Sequence, residues 1–389
     1  MYIKITDEIV QQAKEGKDNP SYGILQMLEW CRYLGNHLIH GDIDVLMELH
    51  ETFLNEFPNL SRLWTIDAEQ GPIIDTLEWH LEFVTNINKN PQTRKDDKSK
   101  TIYVNVKDGF DPYRECHLLA ENLDDIKMYS AILNYFKRLN GYEKVEEAYY
   151  PILGGGNTTK DVYESEILLK KSLVLCIVDS DKHFSSDSVG ETAKQVLEIE
   201  NKYMAFNSYL YIMENVLEVE NLVPIRVYEE YVRLHNTEEA KQALNSIKII
   251  MKDNVDCLSF YDYKLGINTR RLLDNDPQTT SKHIAILINP EYEKVILEQE
   301  DCWKKYYEGL ERIEVFSPND RKKFFDKWEK SACCVKGFGK NILRNVLNSQ
   351  YDKILGIEEI DLSPAQKQEY NIIGKLLYNW VCASKPIRI

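Results

Sequence analysis

The 389-residue chain predicts an α/β fold, a mainly parallel sheet flanked by helices, with helical N-terminal and C-terminal regions. Three observations carry this. Apolar runs at residues 116–120, 147–153 and 173–178 have the length and composition of strands. Each run ends on an acidic or glycine cluster: Glu121, Gly154-Gly155-Gly156 and Asp179-Ser180-Asp181. Between the runs, apolar residues recur at helical spacing. Alternating strands and helices of this length build a parallel sheet with helices on its faces. Open α/β sheets place their sites at the carboxyl ends of strands, so the three clusters mark a candidate centre for divalent-metal phosphoryl chemistry.

In chain order, residues 1–88 read as a helical accessory or interaction domain, with helical spacing at 24–38, 42–57 and 73–84. Asp42 is placed to cap the second of these. His37, His40, His50 and His80 fall in this region, but no HxxxH or HExxH spacing makes them a metal set. Residues 89–100 are polar, contain proline and lack periodicity, as a linker does. A central domain over 101–223 opens with a strand at 101–107 and a turn at 108–112. It continues with the strand to Glu121, a helix at 124–140, the strand to Gly154, a helix at 158–170, the strand to Asp179, a helix at 189–203 and a strand at 207–213. Residues 224–389 are mainly helical, with clear patterns at 228–235, 238–251, 292–307, 320–331 and 365–380 and a short strand-like run at 284–288.

Composition bounds the function. The formal net charge of −15 repels nucleic acid at long range, so binding it requires a local basic patch, metal ions or a partner. No apolar run approaches the roughly 18 residues of a membrane span, and the N-terminus has no secretory apolar segment, so a cytoplasmic protein is expected. Eight scattered cysteines without CxxC or zinc spacing point to free thiols, several in buried strands.

The chemistry rests on oxygen ligands. Asp179 and Asp181 lie two apart where a strand ends, so both carboxylates can serve one side, and Mg2+ needs few such ligands. Glu121 ends a neighbouring strand, and crowded carboxylates repel one another unless a cation compensates. The glycine run allows close backbone approach to a phosphate ahead of a helix N-terminus, although GxxxxGK[ST] is absent and a tight turn alone uses such glycines. His183 reads as a surface histidine, and the 24 tyrosines are spread along helices rather than grouped for base stacking.

This order of features resembles the topoisomerase–primase (TOPRIM) domain over about residues 116–221. Glu121-Asn122-Leu123-Asp124-Asp125 stands for that family's EGxxD motif, with Asn122 where the pattern has glycine; Gly154–Gly156 holds the glycine position, and Asp179-Ser180-Asp181 matches DxD. Within the superfamily the chain looks most like the nucleases of the overcoming-lysogenization-defect type and standalone phage-defence nucleases. Their acidic–asparagine motif is matched by Glu218-Val219-Glu220-Asn221, and their C-terminal lysine by Lys336-Gly337-Phe338-Gly339-Lys340.

The resemblance implies a metal-dependent endonuclease of an anti-phage system that uses Mg2+ or Mn2+. Its catalytic set would be Glu121, Asp125, Asp179, Asp181 and Lys340, with Glu121, Asp179, Asp181 and Glu220 on metal. The implied partners are nucleic acid, DNA ahead of RNA, and an ATPase protein, since the chain carries no Walker motif; a homo-oligomer is compatible with this reading. A catalytically silent scaffold that docks to such an ATPase is the alternative. A haloacid-dehalogenase-like phosphatase fits less well, because that family carries DxD on an early strand.

Overall fold

The computed structural model describes residues 1–86, 95–96, 98–169, 172–182, 187–253, 255–267 and 335–387. The chain divides into two units: Met1–Val178 with Glu191–Ile212 and Asn371–Ile389, and Asp179–Gly190 with Met213–Tyr370.

The first unit begins β1 (Tyr2–Ile5), α1 (Asp7–Ala13), α2 (Pro20–Leu34), β2 (Leu38–Gly41), α3 (Ile43–Phe53), α4 (Asp67–Ile74), β3 (His80–Val84), β4 (Lys95–Asp96) and β5 (Thr101–Asn105). These strands form a five-stranded sheet in the order β2-β1-β3-β5-β4, parallel except for β4. The region read as helical therefore supplies three strands, and the strand expected to open the central domain pairs with β3 instead. β1 and β2 are four residues each and almost wholly buried, so they show no alternation for a pattern reading to find. The helix expected over 24–38 stops at Leu34, because Gly35 takes φ +78 and returns its N–H to the Cys31 carbonyl. Residues 73–84 fit helical spacing but also alternate over His80–Val84, and the alternation decides the structure. Asp42 does stand at the N-cap of α3, yet its carboxylate pairs with Lys4 Nζ at 3.2 Å instead of bonding the helix. Of the expected linker, Lys95–Asp96 pair with β5, while residues 89–94 and 97 lie outside the described residues. His37 donates to the Arg114 carbonyl, His50 bonds the Ser61 carbonyl and His80 bonds Glu82, which gives each a local partner rather than a shared ligand.

The second sheet of this unit follows the expected alternation. It comprises β6 (Cys116–Ala120), α5 (Leu123–Asn140), β7 (Glu146–Glu147), β8 (Tyr149–Leu153), α6 (Thr159–Leu169), β9 (Val174–Val178), α7 (Glu191–Tyr203) and β10 (Ser208–Ile212). Its order is β10-β9-β6-β8 and every pairing is parallel; β7 pairs apart from it with residues Cys382–Ala383. β6 and β9 are buried at all positions, the signature of central strands covered on both faces. Cys116 and Cys176 lie inside them as free thiols, and burial pushes Cys116 up to about 12. The chain starts the sheet at β6, goes one way to β8 and returns to β9. The switch in strand order thus falls between β6 and β9, where such folds place ligands.

The second unit holds a 3-10 helix (Val219–Leu222), α8 (Ile225–His235), α9 (Glu238–Asp253), a 3-10 helix (Val255–Phe260), β11 (Gly266–Ile267), β12 (Val335–Lys336), α10 (Ile342–Leu355) and the first part of α11 (Pro364–Val381). β11 and β12 pair antiparallel. The elements expected at 284–288, 292–307 and 320–331 lie outside the described residues, as does His183. Among the described residues no helix is long and apolar enough to cross a membrane.

Candidate functional site

In the first unit, Glu121 follows β6 directly and is half-buried. Its carbonyl accepts the Gly155 N–H at 2.9 Å, and the Ala120 carbonyl accepts the Gly154 N–H at 2.8 Å. The glycine loop therefore lies against the end of β6, and a Cβ at Gly156 would stand 3.9 Å from Glu121 Oε2. Gly155 and Gly156 both take positive φ, and Gly154 has no room for a side chain against Thr159. Asn122, which replaces the expected glycine, caps α5: its Oδ1 accepts the N–H groups of Asp124 and Asp125. Asp125 Oδ2 accepts the Asn122 N–H at 3.0 Å and completes a capping box. Asp125, expected in the catalytic set, thus caps the start of α5.

In the second unit, the Asp179-Ser180-Asp181 turn is pinned by its middle residue. Ser180 is fully buried, and its Oγ donates to the Val216 carbonyl at 2.7 Å. The Asp181 N–H donates to the Leu217 carbonyl at 3.0 Å, and the Gly190 N–H to the Ser180 carbonyl at 2.7 Å. Asp181 takes φ +52, a left-handed conformation that sends its side chain back against Gly190, where a Cβ would overlap the carboxylate. Asp179 Oδ1 accepts the Val219 N–H at 3.2 Å, which ties the turn to the segment carrying the next two acids.

That segment is the 3-10 helix Val219–Leu222 with Glu218 at its N-cap, and both Glu218 and Glu220 are buried. Asn221 holds it in place. Its Oδ1 accepts the Glu218 N–H at 3.2 Å, and its Nδ2 donates to the Leu258 and Tyr261 carbonyls, each at 2.8 Å. The Tyr228 hydroxyl donates to the Glu220 carbonyl at 2.8 Å. Into the two carboxylates reaches Lys264, its Nζ 2.8 Å from Glu218 Oε2 and 3.3 Å from Glu220 Oε1. Burial alone would pull the lysine down, but Glu218, Glu220 and Asp179 together hold the ammonium above the ordinary lysine range. Burial also raises both glutamates; Glu220 adds to the rise at Glu218, and Lys264 opposes it at each. Among the described residues the buried Glu218 Oε1 has no hydrogen-bond partner, a defect that typically costs about 1–3 kcal/mol.

Lys264 is the residue that sequence reasoning missed, and Glu218, quoted there within the acidic–asparagine motif, was given no role. Lys264 stands in a turn: Asp262 Oδ1 accepts the Leu265 N–H at 2.7 Å, and Gly266 takes φ +67. The Asp-x-x-x-Gly punctuation was readable, but nothing local says which acids the lysine meets. The segment expected to supply the lysine instead braces it. Phe338 and Gly339 donate their N–H groups to the Tyr263 and Lys264 carbonyls, both at 2.8 Å, and a Cβ at Gly337 would lie 2.5 Å from the Lys264 backbone. Phe338 stacks on Tyr228 at 5.0 Å, and Tyr228 on Tyr263 at 5.0 Å. Lys340 is exposed in the turn ahead of α10.

Among the described residues no group of three or more His, Cys, Asp or Glu is arranged to hold a metal ion; Glu218 and Glu220 converge on an ammonium instead. The donors are nonetheless all hard oxygens, and the unpartnered Glu218 Oε1 offers a lone pair the lysine does not use, which fits Mg2+ or Mn2+ rather than a softer metal. No family model matches the sequence, and no curated protein or solved structure is significantly similar to it.

Proposed function

We propose that the chain is a divalent-metal-dependent phosphodiesterase acting on nucleic acid, with DNA favoured over RNA, and that it resembles TOPRIM nucleases in how it uses its acids. Asp179, Asp181 and Glu220, all in the second unit, would hold the cation. A bound divalent cation supplies charge neutralisation at the scissile phosphate. The chain's own part is to keep oxygens in fixed positions beforehand. Ser180 and Gly190 set the direction of Asp181, the Val219 N–H orients Asp179, and Asn221 holds the glutamate turn. The carrying observation is that Asp179 is tied by hydrogen bond to the turn that presents Glu218 and Glu220, all three acting on one half-buried ammonium.

The test is cleavage of supercoiled plasmid, linear DNA and tRNA with Mg2+ or Mn2+, comparing the wild type with Asp181→Asn and Glu220→Gln. Metal-dependent cleavage lost in both variants, with unchanged circular dichroism, is expected. Cleavage that survives both removes the site assignment. Absence of cleavage on every substrate turns the reading toward a silent scaffold that docks to an ATPase.

A further inference from the structure

Glu218 and Glu220 direct one oxygen each at a single position, and Lys264 Nζ occupies it. The two acids are fixed. Glu218 caps its 3-10 turn, the Glu220 carbonyl is held by the Tyr228 hydroxyl, and their side chains keep 8% and 6% of their exposure. The lysine is not fixed in the same way: its side chain keeps 30%, and a four-carbon stem can turn its head toward solvent. One ammonium also serves the pair incompletely, since among the described residues the buried Glu218 Oε1 has no hydrogen-bond partner and Asp179 acts on the same charge.

We propose that Lys264 is a resident counter-ion which a divalent cation displaces: metal entering at Glu218 and Glu220 expels the ammonium toward solvent. This rests on the metal-dependent reading above and extends it, adding Glu218 to the ligands and giving the metal-free protein a built-in cation. The two cations exclude each other for reasons of distance. Mg2+ draws its oxygen ligands to about 2.1 Å, and an ammonium within hydrogen-bonding reach of the same two oxygens stands where that ion must go. A glutamate pair left without either cation would carry the cost of uncompensated buried charge, so exchange is the route that keeps it neutralised throughout.

The full chain is tested by acylating its lysines with a water-soluble amine reagent, with and without saturating Mn2+, and reading each site by mass spectrometry. In parallel, Mn2+ affinity is measured by calorimetry for the wild type, Lys264→Met and Glu218→Gln. Labelling of Lys264 is expected to rise several-fold on Mn2+ addition while exposed lysines such as Lys340 stay constant. Lys264→Met should bind Mn2+ about tenfold more tightly or better, and its lowered melting temperature should recover with the metal. Glu218→Gln should abolish the labelling response. Should Lys264→Met not fold, labelling of the wild type decides alone. Mn2+ binding with no change at Lys264 overturns the proposal, makes the lysine a fixed structural pin and leaves the phosphodiesterase reading standing. Metal-driven release without cleavage of any nucleic acid does the reverse. No Mn2+ binding in any of the three proteins overturns both.

Discussion

Two acidic turns in this molecule are built on the same device and end with opposite chemistry. At the start of α5, Asn122 is the cap and Asp125 sits at the third helical position; at Val219–Leu222, Glu218 is the cap and Asn221 sits third. In the first turn Asp125 gives an oxygen to a backbone N–H, so part of its charge serves the helix end. In the second the Asn221 amide and the Glu218 carboxylate share the backbone work, and the same carboxylate, with Glu220, also meets a lysine. The turns differ in where the acid stands: Asn122 caps α5 without charge, whereas a buried glutamate caps the second turn and faces an ammonium as well as the backbone.

The largest effect is expected at Asn221. Asn221→Ala removes one acceptor and two donors in a buried place and is expected to destabilise the protein by about 3 kcal/mol or more in urea denaturation. A loss near 1 kcal/mol, typical of a simple cap, would erase the distinction between the turns. Gly337→Ala forces a Cβ onto the Lys264 backbone and should cost about 1–3 kcal/mol. The same variant should raise acylation of Lys264 in the absence of metal, and unchanged labelling would show that the brace does not position the lysine.

A pH prediction follows from the raised glutamates. A carboxyl whose folded pKa lies above its unfolded one keeps a proton in the native state that the unfolded chain has lost, so its stability is present at low pH and falls as pH rises through the folded value. Metal-free wild type should therefore lose urea resistance above the ordinary glutamate range, and Glu218→Gln should flatten that slope. An unchanged slope in the variant would place the titration elsewhere. The smallest effect is expected from Asn122→Ala, about 1 kcal/mol, with Mn2+ affinity unaltered. Weakened Mn2+ binding in that variant would mean that the α5 cap serves the cation as well as the helix.

Much of the second sheet was legible because its strands and helices carry their own periods. β6 and β9 are unbroken apolar runs, α5 shows helical spacing between an asparagine cap and Gly141, and the elements fall within a few residues of where their patterns place them. The first sheet was less legible. Its opening strands are four residues long and buried on both faces, so the neighbouring helical periods run through them. In the candidate site, the acids that end strands were readable, whereas Ser180 and Gly190, which aim Asp181, were not. Their importance lies in a left-handed backbone and a close approach that no spacing announces.

Sequence alone determined the alternation of strand and helix, the parallel pairing that follows from it, and the delivery of Glu121, Gly154 and Asp179 to strand ends. Those are consequences of local periodicity and chain connectivity, and each is written within a dozen or so neighbouring residues. Tertiary structure alone decided which cation the acids face. Lys264 meets Glu218 and Glu220 because Asn221 binds the Leu258 and Tyr261 carbonyls and because Gly337 lets a distant segment lie flat against the lysine's backbone. Charge pairing of this kind depends on distance through space, and elements far apart in the chain set that distance only when they pack.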